Sequence, residues 1–206
     1  MNFKKDKSKY FVFKRICDLV FATFLVLILS PLIIIVYLTT LFFLGKPAIF
    51  KQKRPGINNN IFTIFKFRSL LNKKDKNNKF LPDKERLTSY GRCIRSLSLD
   101  ELPQLYNILK GEMSFVGPRP LKVEYLKIYS DEQIKRHSVK PGLTGLTQVN
   151  GRNSISWEEK FNMDLLYVRK INFFLDFSIL MKTILSVIFA KNISKNCDGT
   201  NDSFSK

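Results

Sequence analysis

The segment Leu19–Leu44 constrains this chain more than any other, because it carries no charged residue over its whole length. A helix that spans a membrane needs about 20 predominantly apolar residues, and this segment exceeds that length. It is too long for a cleavable signal sequence and has no small-residue cleavage site. The sequence therefore predicts a membrane segment near the N-terminus.

Ser30 and Pro31 lie near the middle of this segment. Pro31 has no N–H to donate and its ring crowds the carbonyl of Leu27, so we expect a break or kink in the helix here. We expect the Ser30 hydroxyl to compensate in part by bonding to the carbonyl of Val26. The pair thus predicts a bend in the middle of the membrane segment.

Basic residues lie on both sides of the apolar segment. They are Lys4, Lys5, Lys7, Lys9, Lys14 and Arg15 before it, and Lys46, Lys51, Lys53 and Arg54 after it. A simple span would place one of these groups outside the cell, against the tendency of positive charge to stay on the cytoplasmic side. A helix that enters, bends at Ser30-Pro31 and returns keeps both groups inside. The charges favour this re-entrant hairpin over an ordinary proline-kinked span.

The excess of positive charge indicates that the partners of this chain are anionic. The 206 residues include 35 Lys and Arg against 17 Asp and Glu, a formal charge of +18, which attracts nucleic acid, anionic lipid or phosphate-bearing substrates. The basic residues are dispersed, and no helix-turn-helix, RNP-like or OB-like pattern is present. Cys17, Cys93 and Cys197 have no metal-ligand spacing, and His137 is predicted to be a structural or surface residue.

The remaining chain predicts a small mixed domain. Ile49-Phe50 and Ile61–Phe67 read as strands of a hairpin around the turn Pro55–Asn60. Helices are predicted over Leu87–Ile94, Leu121–Ile128 and Ser156–Arg169, the last with a capping box, and loops over Asn72–Asp83 and the glycine-rich Lys140–Asn153. The tail after Lys191 is polar and predicted to be disordered.

A second apolar segment, Ile171–Ala190, is interrupted by Asp176 and Lys182. A charge at the middle of a bilayer costs roughly 2.5–3.5 kcal/mol on insertion scales. We therefore expect a helix that lies in the membrane interface, or packs on the membrane hairpin, in preference to a second span.

The stretch Arg95–Pro120 carries the predicted chemistry. Asp100 and Glu101 stand where a helix is expected to begin, with Ser98 and Glu101 at capping-box spacing and Pro103 in the first turn. Acids in a first helical turn are common caps, but these have arginines on both sides, Arg95 and Arg119. Carboxylates that can hold a metal, beside arginines that can bind phosphate, indicate a phosphoryl-transfer site.

Together these segments resemble the bacterial sugar transferases, the monotopic phosphoglycosyl transferases, and in length the small PglC-type members. The resemblance covers Lys14 to about Lys182. It is carried by KRICD before the apolar segment, Ser30-Pro31 within it, FKQKRPG, FKFRSL, RSLSLDELPQL, KGEMSFVGPRP and PGLTGLTQVNGRNSISWEEKF.

The resemblance implies transfer of a sugar-1-phosphate from a UDP-sugar to polyprenyl (undecaprenyl) phosphate, with release of UMP. By position, Asp100 would be the nucleophile that forms an aspartyl-phosphosugar intermediate, and Glu101 would hold Mg²⁺. Arg119, between Pro118 and Pro120, would contact phosphate. Arg95, Lys66 and Arg152 are further candidates for phosphate or nucleotide contacts.

The expected fold is α+β, mainly helical with a small β-hairpin, an N-terminal re-entrant helix-break-helix and amphipathic interfacial helices. The expected divisions are a membrane segment at residues 1–46, a catalytic domain at 47–190 and a tail at 191–206. The resemblance places the enzyme on the cytoplasmic face of a bacterial inner membrane, in contact with membrane lipids and not with nucleic acid. It leaves a homodimer open.

The substrate stays open between two classes of sugar. An N-acetylated or diacetamido sugar is the first expectation, and glucose or galactose for capsule or exopolysaccharide is the alternative. A membrane-tethered protein that binds nucleic acid without catalysis is a third interpretation, which the motifs disfavour.

Overall fold

A computed structural model of the protein describes residues 3–151 and 155–188. Within these ranges the helices are α1 Phe3–Leu44, α2 Asp83–Arg86, α3 Ser89–Ser96, α4 Gln104–Lys110, α5 Leu146–Asn150, α6 Trp157–Lys170 and α7 Phe173–Ile188. The strands are β1 Ile49–Pro55, β2 Ile61–Phe67, β3 Ser114–Val116 and β4 Gly142–Thr144. Short 3-10 helices cover Ile57–Asn59, Leu99–Glu101, Val123–Lys127 and Gln133–Ser138. The α+β class with a small hairpin is confirmed, and the tail after Lys191 lies outside the described residues.

Helix α1 is one continuous helix that contains Pro31. The hydroxyl of Ser30 donates to the carbonyl of Leu27 at 2.8 Å, and not to that of Val26 as expected. Leu27 is the residue whose carbonyl would have bonded to an N–H at position 31, so the serine satisfies the acceptor that the proline leaves open. This bond explains how the helix continues through the proline.

The apolar surface of α1 is largely uncovered by protein. Residues Ser8–Leu44 are long and apolar enough to cross a membrane, and only 11% of their most apolar window is buried. The exposed side chains include Phe24, Leu27, Ile28, Ile34 and Phe42. A soluble protein rarely leaves so large an apolar surface in water, so this face suits a lipid environment.

Both ends of α1 contact the rest of the chain. Near its start, the guanidinium of Arg15 donates to the carbonyls of Ile108 and Leu109 at the end of α4, at 2.6 and 2.8 Å. Near its end, the Thr40 hydroxyl lies 2.7 Å from the Tyr90 hydroxyl of α3. A single folded body therefore contacts the helix before its uncharged segment and again near the end of that segment.

The predicted hairpin is confirmed. Strands β1 and β2 pair antiparallel in a register that sets Phe50 opposite Lys66, with a 3-10 turn between them. Phe62 and Ile64 of β2 pack with Ala22 of α1 and with Ile108 of α4 in one buried cluster. The hairpin thus joins the membrane helix to the helix that follows the two acids.

A second sheet, β3 with β4, was not predicted. These strands pair parallel, and Gly117 and Gly142 let the two backbones meet so closely that a Cβ on Gly117 would lie 2.3 Å from the carbonyl of Lys140. The expectation of an irregular loop over Lys140–Asn153 is therefore wrong where β4 and α5 form. Backbones that approach this closely require glycine. The sequence showed the glycines, but not that the segment after Met113 would pair with the segment after Pro141.

Several boundaries differ from the expectation. The helix expected over Leu87–Ile94 is α3, which begins at Ser89 with Thr88 as its cap. The helix expected over Leu121–Ile128 is the 3-10 helix Val123–Lys127, whose tighter turns follow the proline-rich segment before it. The loop over Asn72–Asp83 and the helix α6 with its Ser156–Glu159 capping box are confirmed.

Helix α7 contacts the start of α1 at Tyr10 and Lys14, which precede the uncharged segment. The expected position in the membrane interface stays a prediction. The carboxylate of Asp176 is buried and accepts hydrogen bonds from Tyr10 at 2.6 Å and Tyr167 at 2.7 Å, together with an ion pair to Lys14. The charge that interrupts this apolar segment is therefore satisfied inside the protein. Lys182, by contrast, lies on the exposed face of α7.

Candidate active site

The two adjacent acids lie in a tight 3-10 turn and not in an α-helix. The turn covers Leu99–Glu101, and α4 begins at Gln104 with Pro103 as its cap. Ser98 has a left-handed backbone (φ 56°) and its side chain makes no cap, so the predicted Ser98–Glu101 capping box is wrong. The physical reason is that the Glu101 carboxylate is engaged by two cations from other parts of the chain.

Those two cations are Lys66 of β2 and Arg119. Lys66 Nζ lies 2.6 Å from Glu101 Oε1, and Arg119 Nη2 lies 3.2 Å from the same oxygen. Both contacts fall on Oε1, so Oε2 is the oxygen that could ligate a metal. The structure thus brings together three of the predicted site residues, which are separated along the chain by up to 53 positions (from 66 to 119).

The neighbouring carboxylates have opposite electrostatic environments. Burial, and then the charge of Glu101, raise the pKa of Asp100 to about 6, although Lys66, Arg95 and Arg119 act against this. Burial would also raise the pKa of Glu101, but Lys66 and Arg119 outweigh it and lower that pKa to about 2. Glu101 is therefore ionised at any physiological pH, whereas Asp100 is ionised but unusually basic. A basic carboxylate is the better nucleophile of the two.

Arg95 contacts Ser69 and influences Asp100 through its charge. Its Nε donates to Ser69 Oγ at 2.7 Å, just after β2, and its charge lowers the pKa of Asp100. The adjacent Arg68 donates to the backbone carbonyls of Leu44 and Lys46, where α1 ends. The pair of arginines thus connects the end of the membrane helix to the turn that carries the acids.

Pro118, Arg119 and Pro120 form an extended segment beside the turn. The carbonyl of Pro118 accepts from the N–H of Gly142 at 3.0 Å, and that of Arg119 accepts from Arg136 Nη2 at 2.8 Å. The Arg119 side chain is 48% exposed, so its guanidinium can reach a ligand as well as Glu101. Arg152, the last predicted contact residue, lies outside the described residues.

A cleft of about 280 Å³ opens next to these groups. Its lining combines cations, an acid, an amide and aromatic rings: Arg54, Ile64, Lys66, Glu101, Gln104, Arg119, Pro120, Leu121, Lys122, Tyr125, Gly142 and Trp157. A cleft that presents this many cations around one carboxylate suits an anionic ligand such as a diphosphate.

Two residues of this cleft were missed by the sequence analysis as site residues. In the sequence, Arg54 was noted only in the basic flank and the FKQKRPG motif, and Gln104 only in the RSLSLDELPQL motif. Arg54 Nε and Gln104 Nε2 are buried without a hydrogen-bond partner in the structure, although buried donors are nearly always satisfied. Both are donors available to a ligand. The sequence signal for Arg54 was its place on β1, two residues from Gln52, on the face opposite Lys53.

A second groove, of about 260 Å³, is entirely apolar. It lies between α1 and the hairpin and is lined by Ile33, Ile34, Tyr37, Ile49, Phe67 and Pro103. Pro103 follows Glu101 by two residues, so one wall of this groove lies near the turn that carries the acids. Ile34 and Tyr37 on another wall belong to the exposed face of α1.

The described residues contain no cluster of three or more His, Cys, Asp and Glu side chains that could hold a metal by itself. The carboxylate of Glu101, with Oε2 not engaged by Lys66 or Arg119, fits Mg²⁺, because this ion characteristically binds one or two carboxylates together with water and substrate phosphate oxygens. His137 is buried, so of the two positions expected for it, structural or surface, the structural one is confirmed. Burial lowers its pKa to about 4, and it makes a backbone hydrogen bond with Gly56, as a structural residue would.

The chain is similar to several sugar transferases. It is 46% identical over 193 residues to the uncharacterized sugar transferase EpsL of Bacillus subtilis, covering 94% of this chain and 96% of that protein. It is 39% identical to the undecaprenyl-phosphate glucose phosphotransferase of Komagataeibacter xylinus and 36% identical to the undecaprenyl-phosphate galactose phosphotransferase of Salmonella typhimurium. Those matches cover 87% and 91% of this chain but only 36% and 42% of the two longer proteins.

The family description "bacterial sugar transferase" matches residues 9–190, which include most of α1, the hairpin, the turn with the two acids and the cleft. The resemblance noted from the motifs is therefore confirmed over nearly the whole chain. This chain belongs to the bacterial sugar transferase family.

Proposed function

We propose that this enzyme transfers hexose-1-phosphate from a UDP-hexose to undecaprenyl phosphate, releasing UMP and forming undecaprenyl-diphosphate-hexose. The observation that carries the proposal is the pairing of a basic, partly buried Asp100 with an ionised Glu101 at the edge of a cationic cleft. Membership of an enzyme family sets aside the interpretation as a nucleic-acid-binding module.

In the first step, a carboxylate oxygen of Asp100 attacks the phosphorus next to the sugar. A bond forms between that oxygen and phosphorus, and the bond from phosphorus to the UMP oxygen breaks. In the second step, a phosphate oxygen of the lipid acceptor attacks the same phosphorus and releases the Asp100 carboxylate. The covalent intermediate divides one difficult displacement into two.

The cations of the cleft are suited to bind the negatively charged diphosphate of the donor. Lys66 and Arg119 already face a carboxylate, and Arg54 has a buried N–H without a partner. Preorganised donors around a diphosphate stabilise the charge that develops on the departing nucleotide. We assign Arg119 and Lys66 to the diphosphate and add Arg54 to the predicted set.

Mg²⁺ is proposed as the cofactor, held by Glu101. Bound there, the ion would neutralise charge on the diphosphate. Glu101 is suited to this role because Lys66 and Arg119 keep it ionised through a shared oxygen, which leaves Oε2 for the metal.

The acceptor's prenyl chain is proposed to lie in the apolar groove between α1 and the hairpin. The groove is lined by apolar side chains and the ring of Tyr37, and its lining includes both Pro103 and exposed residues of α1. A chain lying there would bring its phosphate end close to the turn with Asp100. A groove-filling Ile33→Trp variant tests this, with Leu38→Trp on the exposed face of α1 as its control.

The exposed apolar face of α1 also supports a membrane location. We propose that α1 enters and leaves the cytoplasmic leaflet on one side, as a re-entrant element. This is supported by the contacts of both α1 ends with one folded body, through Arg15 and through Thr40. The basic flanks on both sides of the uncharged segment point the same way.

The choice of sugar departs from the first expectation. Two of the relatives are named for glucose and galactose, which favours a plain hexose over the N-acetylated sugar that was expected first. The decisive experiment is UMP release by the full chain with undecaprenyl phosphate and Mg²⁺, across UDP-glucose, UDP-galactose, UDP-N-acetylglucosamine and a UDP-diacetamido sugar. UMP release with the hexoses supports the proposal; release only with an N-acetylated donor overturns the assignment of the sugar, and release with none overturns the reaction.

A further inference from the structure

A buried ion pair lies behind the active-site segment. Arg136 and Asp164 are 2% and 4% exposed, and the guanidinium donates to Asp164 Oδ2 through Nε at 3.0 Å and Nη2 at 2.5 Å. The other oxygen, Oδ1, accepts from the Thr147 hydroxyl of α5 at 2.7 Å. Buried pairs often contribute little net stability, because desolvation offsets the attraction. Such a pair is better explained by the geometry that it fixes.

What this pair fixes is the backbone of Arg119. Arg136 Nη2 also donates to the Arg119 carbonyl at 2.8 Å, so one guanidinium nitrogen joins the buried carboxylate to the active-site segment. Pro118 and Pro120 restrict the torsions of this segment but do not attach it to the rest of the protein. Its attachments are the Arg136 bond and the bonds from Gly142 to Pro118 and from Gly117 to Thr144.

Of these hydrogen bonds, the one from Arg136 lies on the same residue as the guanidinium of Arg119. The two glycine bonds hold residues 117 and 118, before Arg119, whereas the Arg136 bond holds the peptide that follows it. The Arg119 side chain, attached to the same residue, reaches Glu101 Oε1 at 3.2 Å. A shift of the carbonyl would therefore move the guanidinium relative to the carboxylate and the cleft.

We infer that Arg136, held by Asp164, is a positioning residue that sets where Arg119 presents its guanidinium to the diphosphate. The inference rests on the proposed function, because it assumes that Arg119 assists the transfer. The role belongs to the hydrogen bond from Arg136 to the Arg119 carbonyl, and Arg136 itself does not touch the substrate.

The test is a double-mutant cycle on the full chain. We expect Arg136→Met to lower kcat/KM for the sugar donor by about 10²-fold, the size of loss that misplacement of a catalytic group can cause. In an Arg119→Met background, where no guanidinium remains to be positioned, the same change should lower kcat/KM by no more than about twofold. Thermal unfolding of each variant is measured in parallel, and the loss of stability should be the same in both backgrounds.

Arg136→Lys is included in case the methionine variant fails to fold. Lysine keeps the charge beside Asp164, but a single ammonium lacks the fork that reaches both the carboxylate and the carbonyl, so its loss of rate should also vanish without Arg119. The matched control is Arg169→Met. Arg169 pairs with Glu132 on the exposed surface and joins the same two regions of chain as the buried pair, so its rate should be unchanged.

The outcomes separate the inference from the proposed function. A wild-type enzyme without transferase activity overturns the proposed function. A rate loss at Arg136 that is equally large with and without Arg119 overturns the inference alone, because the pair would then act through the fold in general. A loss that disappears in the Arg119 background supports it.

Discussion

The ammonium of Lys66 lies 2.6 Å from Glu101 Oε1, so the second strand of the hairpin and the turn that carries the two acids are joined by a partly buried ion pair. This contact separates the roles of two adjacent carboxylates. It keeps Glu101 ionised, while the charge of Glu101 in turn raises the pKa of its neighbour Asp100.

Asp100→Asn should lower UMP release by roughly four or more orders of magnitude, as removal of a nucleophile often does. The fold should survive, since a raised pKa means that the ionised carboxylate destabilises the folded state. Stability contributed by the protonated form is lost as pH rises toward 6, and asparagine avoids this loss. The variant should therefore unfold at the same or a higher temperature than the wild type at pH 8.

Asp131→Asn, which removes an exposed carboxylate, is the control for the Asp100 variant. Intact-mass spectrometry of the wild type with donor and no acceptor should show a phosphosugar adduct on Asp100. Near-normal turnover by Asp100→Asn would contradict the covalent route.

The rate of the first half-reaction should depend on pH through Asp100. Because its pKa is raised to about 6, the carboxyl is protonated and cannot attack below that pH, whereas Glu101 stays ionised. UMP release without acceptor should therefore fall about tenfold per pH unit below pH 6 and level off above pH 7. Omitting the acceptor removes titration of the lipid phosphate from the profile. A flat profile between pH 5 and 8 would show that Asp100 has an ordinary pKa.

Lys66→Gln should lower kcat/KM for the donor by about 10²- to 10³-fold, the range seen when a preorganised electrostatic group is removed. Loss of the cation also raises the pKa of both acids, so the acidic limb of the pH profile should move to higher pH. Lys53→Gln, on the exposed face of the same hairpin, is the matched control and should leave the rate unchanged. Equal losses for both lysines would point to a general effect of charge.

Single cysteines near Lys9 and Lys51 should react with an impermeant thiol reagent from the same side of the membrane. Both ends of α1 contact one folded body, which cannot lie on both sides of a bilayer. The experiment starts from a variant in which the native cysteines are replaced. Labelling from opposite sides would mean that α1 is an ordinary span.

Asp176→Asn should lower the free energy of unfolding by about 3–5 kcal/mol, because it removes the carboxylate that pairs directly with the buried ammonium of Lys14. Adding Lys14→Met should recover part of this loss, since the unpaired charge is then gone. Lys182→Gln, on the exposed face of the same helix, should change little. Thermal unfolding in detergent measures all three, and an Asp176 variant as stable as the wild type would show that the pair contributes nothing.

Local patterns predicted much of this architecture well. The uncharged run, the hairpin and the capping box of α6 all follow from neighbouring residues, and all are present. The expectations that failed depended on distant partners. The Ser98–Glu101 capping box is absent because Lys66 and Arg119 bind the glutamate, and the loop over Lys140–Asn153 is partly a strand because Ser114–Val116 lies beside it.

The sequence by itself determined that the chain has a long apolar helix, two adjacent acids at Asp100 and Glu101 between arginines, and the motifs of its family, because each of these lies in contiguous residues. Only the tertiary structure decided that Glu101 is paired with two cations while the pKa of Asp100 is raised. It also decided that Arg54 and Gln104 line the cleft, and that Arg136 donates to the backbone of Arg119. Those properties depend on burial and on distances between groups far apart in the chain, and electrostatic interactions change strongly with both.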